Sequence, residues 1–123
     1  MENEIRVYDY HRASGKISNE RPFQSGFERG FPDGSSIDSA GYLWNCRFNG
    51  GCIVRIAPDG TVDHIVEMPV QNITTCTFGG PDLKTLFITT ASIVSPPGNR
   101  LAGSLFALDV ETAGLSENKF LVV

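Results

Sequence analysis

The stretch Phe31-Pro32-Asp33-Gly34-Ser35-Ser36-Ile37-Asp38-Ser39-Ala40-Gly41-Tyr42-Leu43-Trp44 decides how the rest of the chain is read. An acidic residue, Asp33, stands just ahead of a short strand predicted over Ser35 to Ile37. Asp38-Ser39-Ala40-Gly41 then forms a tight turn of residues suited to one, and a second strand opens at Tyr42. A related pattern, Cys76-Thr77-Phe78-Gly79-Gly80-Pro81-Asp82-Leu83-Lys84-Thr85-Leu86-Phe87, returns about 45 residues on. A strand–turn–strand unit repeating at that interval is what a β-propeller blade looks like in sequence.

Outward from the opening stretch, Tyr42 to Phe48 reads as the second strand and Asn49-Gly50-Gly51 as the next turn. Cys52 to Ile56 forms the third strand. Pro58-Asp59-Gly60 is a turn in which Pro fixes φ and Gly accepts a positive one, and Thr61 to Met68 is the fourth strand. Residues 31–70 thus make one four-stranded antiparallel blade. Residues 71–123 repeat it as a last blade, with strands at Thr75 to Phe78, Leu86 to Ala91, Ser104 to Val110 and, outermost, Phe120 to Val123. A longer loop, Ser92 to Leu101, carries Pro96-Pro97-Gly98.

Upstream, Ile5 to Tyr10 alternates apolar and polar residues as a half-buried strand does. Ala13-Ser14-Gly15-Lys16 turns the chain into Ile17 to Phe23, a short outer strand closed by Pro22. These two strands, within residues 1–24, read as the outer strands of a preceding blade. No segment carries an apolar stripe at helical spacing. The predicted fold is all-β, a partial β-propeller of two full four-stranded antiparallel blades plus the outer strands of another. Closed propellers need at least about four blades, so the chain is expected to be a piece of a larger propeller that begins in mid-blade.

Composition excludes several classes. The 123 residues are 41% hydrophobic and 20% charged, as in a globular domain, and carry a net charge of −4. The basic residues are scattered singly, whereas nucleic-acid binding needs them clustered. There is no apolar run of about 18 residues and no basic-then-apolar leader at Met1-Glu2-Asn3-Glu4, which argues against membrane insertion and secretion. Cys46, Cys52 and Cys76 are odd in number and lack the paired spacing of a zinc site. They are expected to be free, buried thiols in a reducing cytoplasm.

Asp33 is the best candidate for chemistry. Inner strands line a propeller's central channel, so a carboxylate at their entry can ligate a hard cation or act as a general base on water. Equally, Pro-Asp-Gly is a common turn, and Pro58-Asp59-Gly60 shows the same tripeptide where only the turn role makes sense. Thr74, Thr75 and Cys76, entering the second unit's inner strand, are possible channel-lining residues. Asp38 and Asp82 read as turn formers, Trp44 and Phe87 as core between blades, Asn49 as a turn residue, and His11 and His64 as surface residues. Motifs for nucleophilic catalysis, phosphate binding or a zinc protease are missing.

The residues also resemble a known family. Ile5-Arg6-Val7-Tyr8-Asp9-Tyr10, Gly15-Lys16-Ile17-Ser18-Asn19, Pro32-Asp33-Gly34 with Ile37-Asp38, and Gly41-Tyr42-Leu43-Trp44 are in family order. So are Asn49-Gly50-Gly51, Arg55-Ile56-Ala57-Pro58-Asp59-Gly60, Met68-Pro69-Val70, Thr74-Thr75-Cys76-Thr77-Phe78-Gly79-Gly80-Pro81-Asp82 and Leu86-Phe87-Ile88-Thr89-Thr90-Ala91. Together they are similar to the C-terminal part of the senescence-marker-protein, gluconolactonase and regucalcin family of six-bladed propellers.

The resemblance implies a metal-dependent hydrolase of sugar lactones such as gluconolactone. It implies one divalent cation per complete propeller (Ca, Zn, Mn or Mg), which polarises the lactone carbonyl while a carboxylate assists attack by water. In the family a Glu of the first blade, an Asn of a middle blade and the Asp of Pro-Asp-Gly hold the metal. Only the last maps here, giving Asp33 the metal-ligand and catalytic roles. The missing ligands would come from other chains completing the propeller or from sequence upstream. The alternative is a truncated, catalytically incompetent propeller fragment acting as a binding or assembly module through its exposed flanks.

Overall fold

The structure, a computed structural model, describes residues 3–122. Nine strands and no helix are present among them: β1 (Glu4–His11), β2 (Lys16–Ser25), β3 (Phe31–Ile37), β4 (Leu43–Phe48), β5 (Cys52–Ile56), β6 (Val62–Glu67), β7 (Ile73–Gly79), β8 (Thr85–Thr90) and β9 (Leu105–Asp109). They form three antiparallel sheets in chain order: β1-β2, then β3-β4-β5-β6, then β7-β8-β9. No helix among the described residues is long and apolar enough to cross a membrane.

The central sheet is covered on both faces. Trp44, Cys46 and Ile53 face the third sheet, where they bury with Ile73, Cys76, Phe78, Leu86 and Ile88. Trp44 and Phe78 meet edge to face with ring centroids 6.1 Å apart, the geometry the ring quadrupoles favour. Cys52, Val54 and Ile56 face the other way and pack with Ile5, Phe23, Phe27 and Leu43. The approach there is close. Gly60 turns the chain at φ +87°, and a side chain on it would run into the Phe23 carbonyl.

Several expectations are corrected. Pro22 does not close the second strand; it pairs with Arg6 inside β2, beside a register shift. β2 is an edge strand, where proline is tolerated. The inner strand starts at Phe31 rather than Ser35, so Pro32-Asp33-Gly34 lies inside β3. Phe87 is 36% exposed, while Leu86 and Ile88 on either side are fully buried. It pairs with Thr77 on the face turned away from the central sheet, and alternation then puts its neighbours in the core.

The outermost strand expected over Phe120 to Val123 is not formed by residues 120–122; Val123 lies outside the described residues. After β9 the chain leaves the sheet edge and crosses toward the central sheet. Gly114 N–H donates to the Leu83 carbonyl, Ser39 N–H donates to the Ala113 carbonyl, and Asp38 bridges Gly114. That crossing carries the chain off the line of β9, and Phe120, Leu121 and Val122 stay exposed.

Candidate active site

In β3 the register shifts between Pro32, opposite Arg47, and Ser35, opposite Asn45. Asp33 and Gly34 together therefore oppose the single residue Cys46, a β-bulge, which bends a strand and re-aims its side chains. A Cβ at Gly34 would meet the Thr75 side chain and stand 2.8 Å from the Thr75 Cα. Glycine is thus required there by the close approach of β7. The two Pro-Asp-Gly tripeptides differ accordingly. In Pro58-Asp59-Gly60 the Asp59 carboxylate accepts from Thr61 N–H at 3.0 Å and from its hydroxyl at 2.7 Å, whereas the Asp33 carboxylate is exposed and takes no hydrogen bond among the described residues.

The backbone of Asp33 is held, although its side chain is not. Asn45 Nδ2 donates to the Asp33 carbonyl at 3.2 Å and to Ser35 Oγ at 2.9 Å. Its Oδ1 accepts from Arg47 Nη1 at 3.2 Å. Arg47 in turn donates to the carbonyls of Arg29, Phe27 and Gly30 at 3.0, 2.9 and 3.1 Å, and to Asn3. Burial pushes the Arg47 guanidinium below its ordinary value.

Of the other candidates, Thr75 is exposed beside the Asp33–Gly34 bulge. Thr74 is half-buried and shares a hydrogen bond with Thr89 at 2.7 Å. Cys76 points into the core, 4% exposed, its thiol donating to the Trp44 carbonyl at 3.5 Å, so it presents no surface to solvent. All three cysteines are free and buried. The Cys46 thiol is pushed up, first by its hydrogen bond to Cys76, then by burial and by the nearby Asp33 charge. Asn49 adopts φ 60° in its turn, where its side chain takes a hydrogen bond from Gln71.

Among the described residues no group of three or more His, Cys, Asp or Glu lies close enough to hold a metal ion. Asp33 is the kind of oxygen donor a hard cation takes, but Ca²⁺ takes about six to eight such ligands. The described residues bring no second and third His, Cys, Asp or Glu together with Asp33. A cleft of about 470 Å³ lies elsewhere, between β6 and the segment after β9, lined by Trp44, Arg55, His64, Val66 and Leu108 among others, and Asp33 is not part of it.

Asn45 and Arg47 drew no notice in the sequence, where Tyr42 to Phe48 read only as a strand. The missed signal is that a strand inside a sheet stacked on both sides has no solvent face, so its polar residues must be paired.

A stack of antiparallel sheets, with the Asp33 carboxylate exposed on a bulge of its inner strand, defines an all-β protein. Residues 1–92 match the SMP-30/Gluconolactonase/LRE-like region, and the chain belongs to that family. It is 39% identical over 119 residues to pentonolactonase XacC of Haloferax volcanii, covering 89% of this chain and 41% of that protein. It is 41% identical over 91 residues to regucalcin of Danio rerio, covering 72% of this chain and 31% of that protein. Among solved structures, the calcium-binding protein regucalcin from Agrobacterium tumefaciens superposes with a TM-score of 0.87 at 27% identity, over 98% of this chain and 43% of that one. The chain thus spans less than half the length of each.

Proposed function

We propose that the chain supplies the C-terminal part of a six-bladed propeller that hydrolyses sugar lactones. In this reading the central sheet and the third sheet are successive blades, β1 and β2 are the outer strands of the one before, and Asp33 faces the channel with Thr74 and Thr75. The observation that carries it is the Asp33 carboxylate, exposed and free of hydrogen bonds among the described residues on a bulge whose backbone is pinned. Its lone pairs are open to a ligand, while Asp59 in the same tripeptide spends its own on Thr61. The Haloferax volcanii relative is a pentonolactonase, which supports sugar lactones as the substrate class.

As a general base, Asp33 takes a proton from water while the water oxygen adds to the lactone carbonyl carbon. The ring C–O bond then breaks, and the departing oxygen takes a proton to give the open hydroxy acid. A divalent cation in a complete propeller would polarise the carbonyl, with Asp33 as one ligand and the others drawn from outside this chain. Three buried free thiols suit a reducing, cytoplasmic setting.

The test is a lactonase assay of the chain with Ca²⁺, Mn²⁺ or Zn²⁺, on wild type and Asp33→Ala. Hydrolysis that the substitution abolishes supports the reading. A monodisperse preparation with no activity above that of Asp33→Ala overturns it for this chain. A second reading, a non-catalytic module that binds through its flanks, is favoured by the lone metal donor and by the exposed Tyr10, Ile17 and Leu105 on the outer sheets.

A further inference from the structure

Arg47 is 1% exposed, yet among the described residues it pairs with no carboxylate. A buried cation ordinarily requires a counter-charge or a full set of acceptors. Here the set is three backbone carbonyls from residues 27–30 and the side-chain oxygens of Asn3 and Asn45. The guanidinium also lies over the Phe27 ring, 5.0 Å from its centroid. Arg47 therefore fixes the segment that leads into β3 and, through one contact, the orientation of the Asn45 amide.

That orientation matters because Asn45 is itself 1% exposed and its two ends do different work. With Oδ1 committed to Arg47, only Nδ2 is left to face β3, where it donates to the Asp33 carbonyl inside the bulge and to Ser35 Oγ beyond it. A bulge disrupts the ladder locally and leaves its extra residue unpaired, and this side-chain bond ties the Asp33 carbonyl to β4.

We infer that Asn45, its amide oriented by the buried Arg47, is a positioning residue that holds the Asp33 bulge in the geometry its chemistry needs. The inference rests on the role proposed for Asp33 and names what maintains it. Displacing a reacting group by about 1 Å costs on the order of 100-fold in rate, so a bulge, where the ladder is locally disrupted, gains from such a brace.

Asn45→Asp separates positioning from mere packing. The substitution keeps size and gives Arg47 a carboxylate partner, but it turns the side-chain donor that faces the Asp33 carbonyl into an acceptor. Backbone ¹⁵N relaxation on the 123-residue chain reads the bulge directly. Order parameters at Asp33 and Gly34 are expected to fall from about 0.85 in wild type to about 0.6 or below in Asn45→Asp, with β5 unchanged. If the wild type is active, kcat falls about tenfold or more with KM within about twofold, since the substrate's other contacts are untouched.

Unchanged order parameters at Asp33 overturn the inference. So does a fall spread evenly over the whole central sheet, which marks a packing role, and Asn45→Ala provides the same readout should the Asp variant fold poorly. An inactive wild type removes the hydrolase reading alone, because relaxation at Asp33 still decides whether Asn45 holds the bulge.

Discussion

The Asp38 carboxylate, with no exposed surface, receives two hydrogen bonds from Arg55, from Nε at 2.9 Å and from Nη2 at 2.7 Å. It also takes Trp44 Nε1 at 3.0 Å and the turn amides of Ala40 and Tyr42, both at 3.0 Å. The Tyr42 ring covers the other side of Arg55, 3.7 Å from its guanidinium carbon. One residue thus closes the β3–β4 turn and anchors the side chains of two neighbouring strands. Removing one partner of a buried pair strands the other charge, which costs about 3–5 kcal/mol. Asp38→Ala is therefore expected to lower stability by that amount in a urea titration. Asp63→Ala, which removes the 38%-exposed partner of the same arginine, is expected to cost at most about 1 kcal/mol. Equal losses from the two variants would contradict the assignment.

Acid should act through the same residue. Burial alone would raise the Asp38 carboxyl, but the Trp44 and Arg55 hydrogen bonds, the Tyr42 amide and the Arg55 charge outweigh it and hold the group below its ordinary 3.8. A carboxylate whose value is depressed on folding contributes stability above its unfolded value, and that contribution is lost as pH falls through the folded one. Stability is therefore expected to drop below about pH 4 in wild type and to drop less steeply in Asp38→Asn. Parallel acid profiles for the two proteins would remove Asp38 as a cause.

The thiols offer a probe of packing. Cys46 and Cys52 have no exposed surface and Cys76 has 4%, and the thiolate, not the thiol, is the reactive form. The hydrogen bond with Cys76 and burial push Cys46 up and burial pushes Cys52 up, whereas the hydrogen bond with Cys46 pulls Cys76 down, so the protection of Cys76 rests on its burial alone. An aromatic disulfide reagent is expected to label the native chain at least about 100-fold more slowly than the urea-unfolded chain, in which all three thiols react. Asp38→Ala, by loosening Trp44 above the Cys76 thiol, should speed native labelling. Prompt stoichiometric labelling of the folded wild type would show that the sheets do not pack as described.

Strand positions were readable from the chain because alternation and turn chemistry act locally. Asn49-Gly50-Gly51, Pro58-Asp59-Gly60 and Asp38-Ser39-Ala40-Gly41 each fall in a turn between the strands expected around them. What escaped is whatever depends on a second sheet. Asp38 read as a turn former, which it is, but its buried pairing needs Arg55 from β5. Phe87 read as core because it holds the position equivalent to Trp44 in its strand, and only the register with β7 shows which face it takes. The strand expected at the C-terminus had a suitable apolar composition in Phe120, Leu121 and Val122, but the crossing at Gly114 takes the chain away from β9. Asp33 was expected just ahead of the inner strand, with a plain Pro-Asp-Gly turn as the alternative, and the bulge inside β3 escaped both readings, since a tripeptide does not reveal the strand opposite.

Gly34 tests that bulge most directly. Its φ is not in the left-handed region, unlike that of Gly60, so the objection to a side chain there is space and not backbone strain. An added methyl would press on the Thr75 side chain and on its Cα, and backbone cannot rotate out of the way as a flexible side chain can. Overpacking of this kind costs about 1–3 kcal/mol. Gly34→Ala is expected to destabilise within that range and to shift the amide resonances of Asp33, Ser35, Thr75 and Cys76 together. Gly98→Ala provides the contrast: φ is +88° but no atom lies within 4 Å of the added Cβ, so its cost, about 1 kcal/mol from backbone conformation, should leave those resonances in place. Trimming Thr75 to Ala in the Gly34→Ala background removes the hydroxyl, the nearest clashing atom, but leaves the Cβ and Cα, and should restore stability in part. Full restoration would mean that β7 does not approach the bulge through its backbone, and the close packing of Asp33's strand against the third sheet would have to be abandoned.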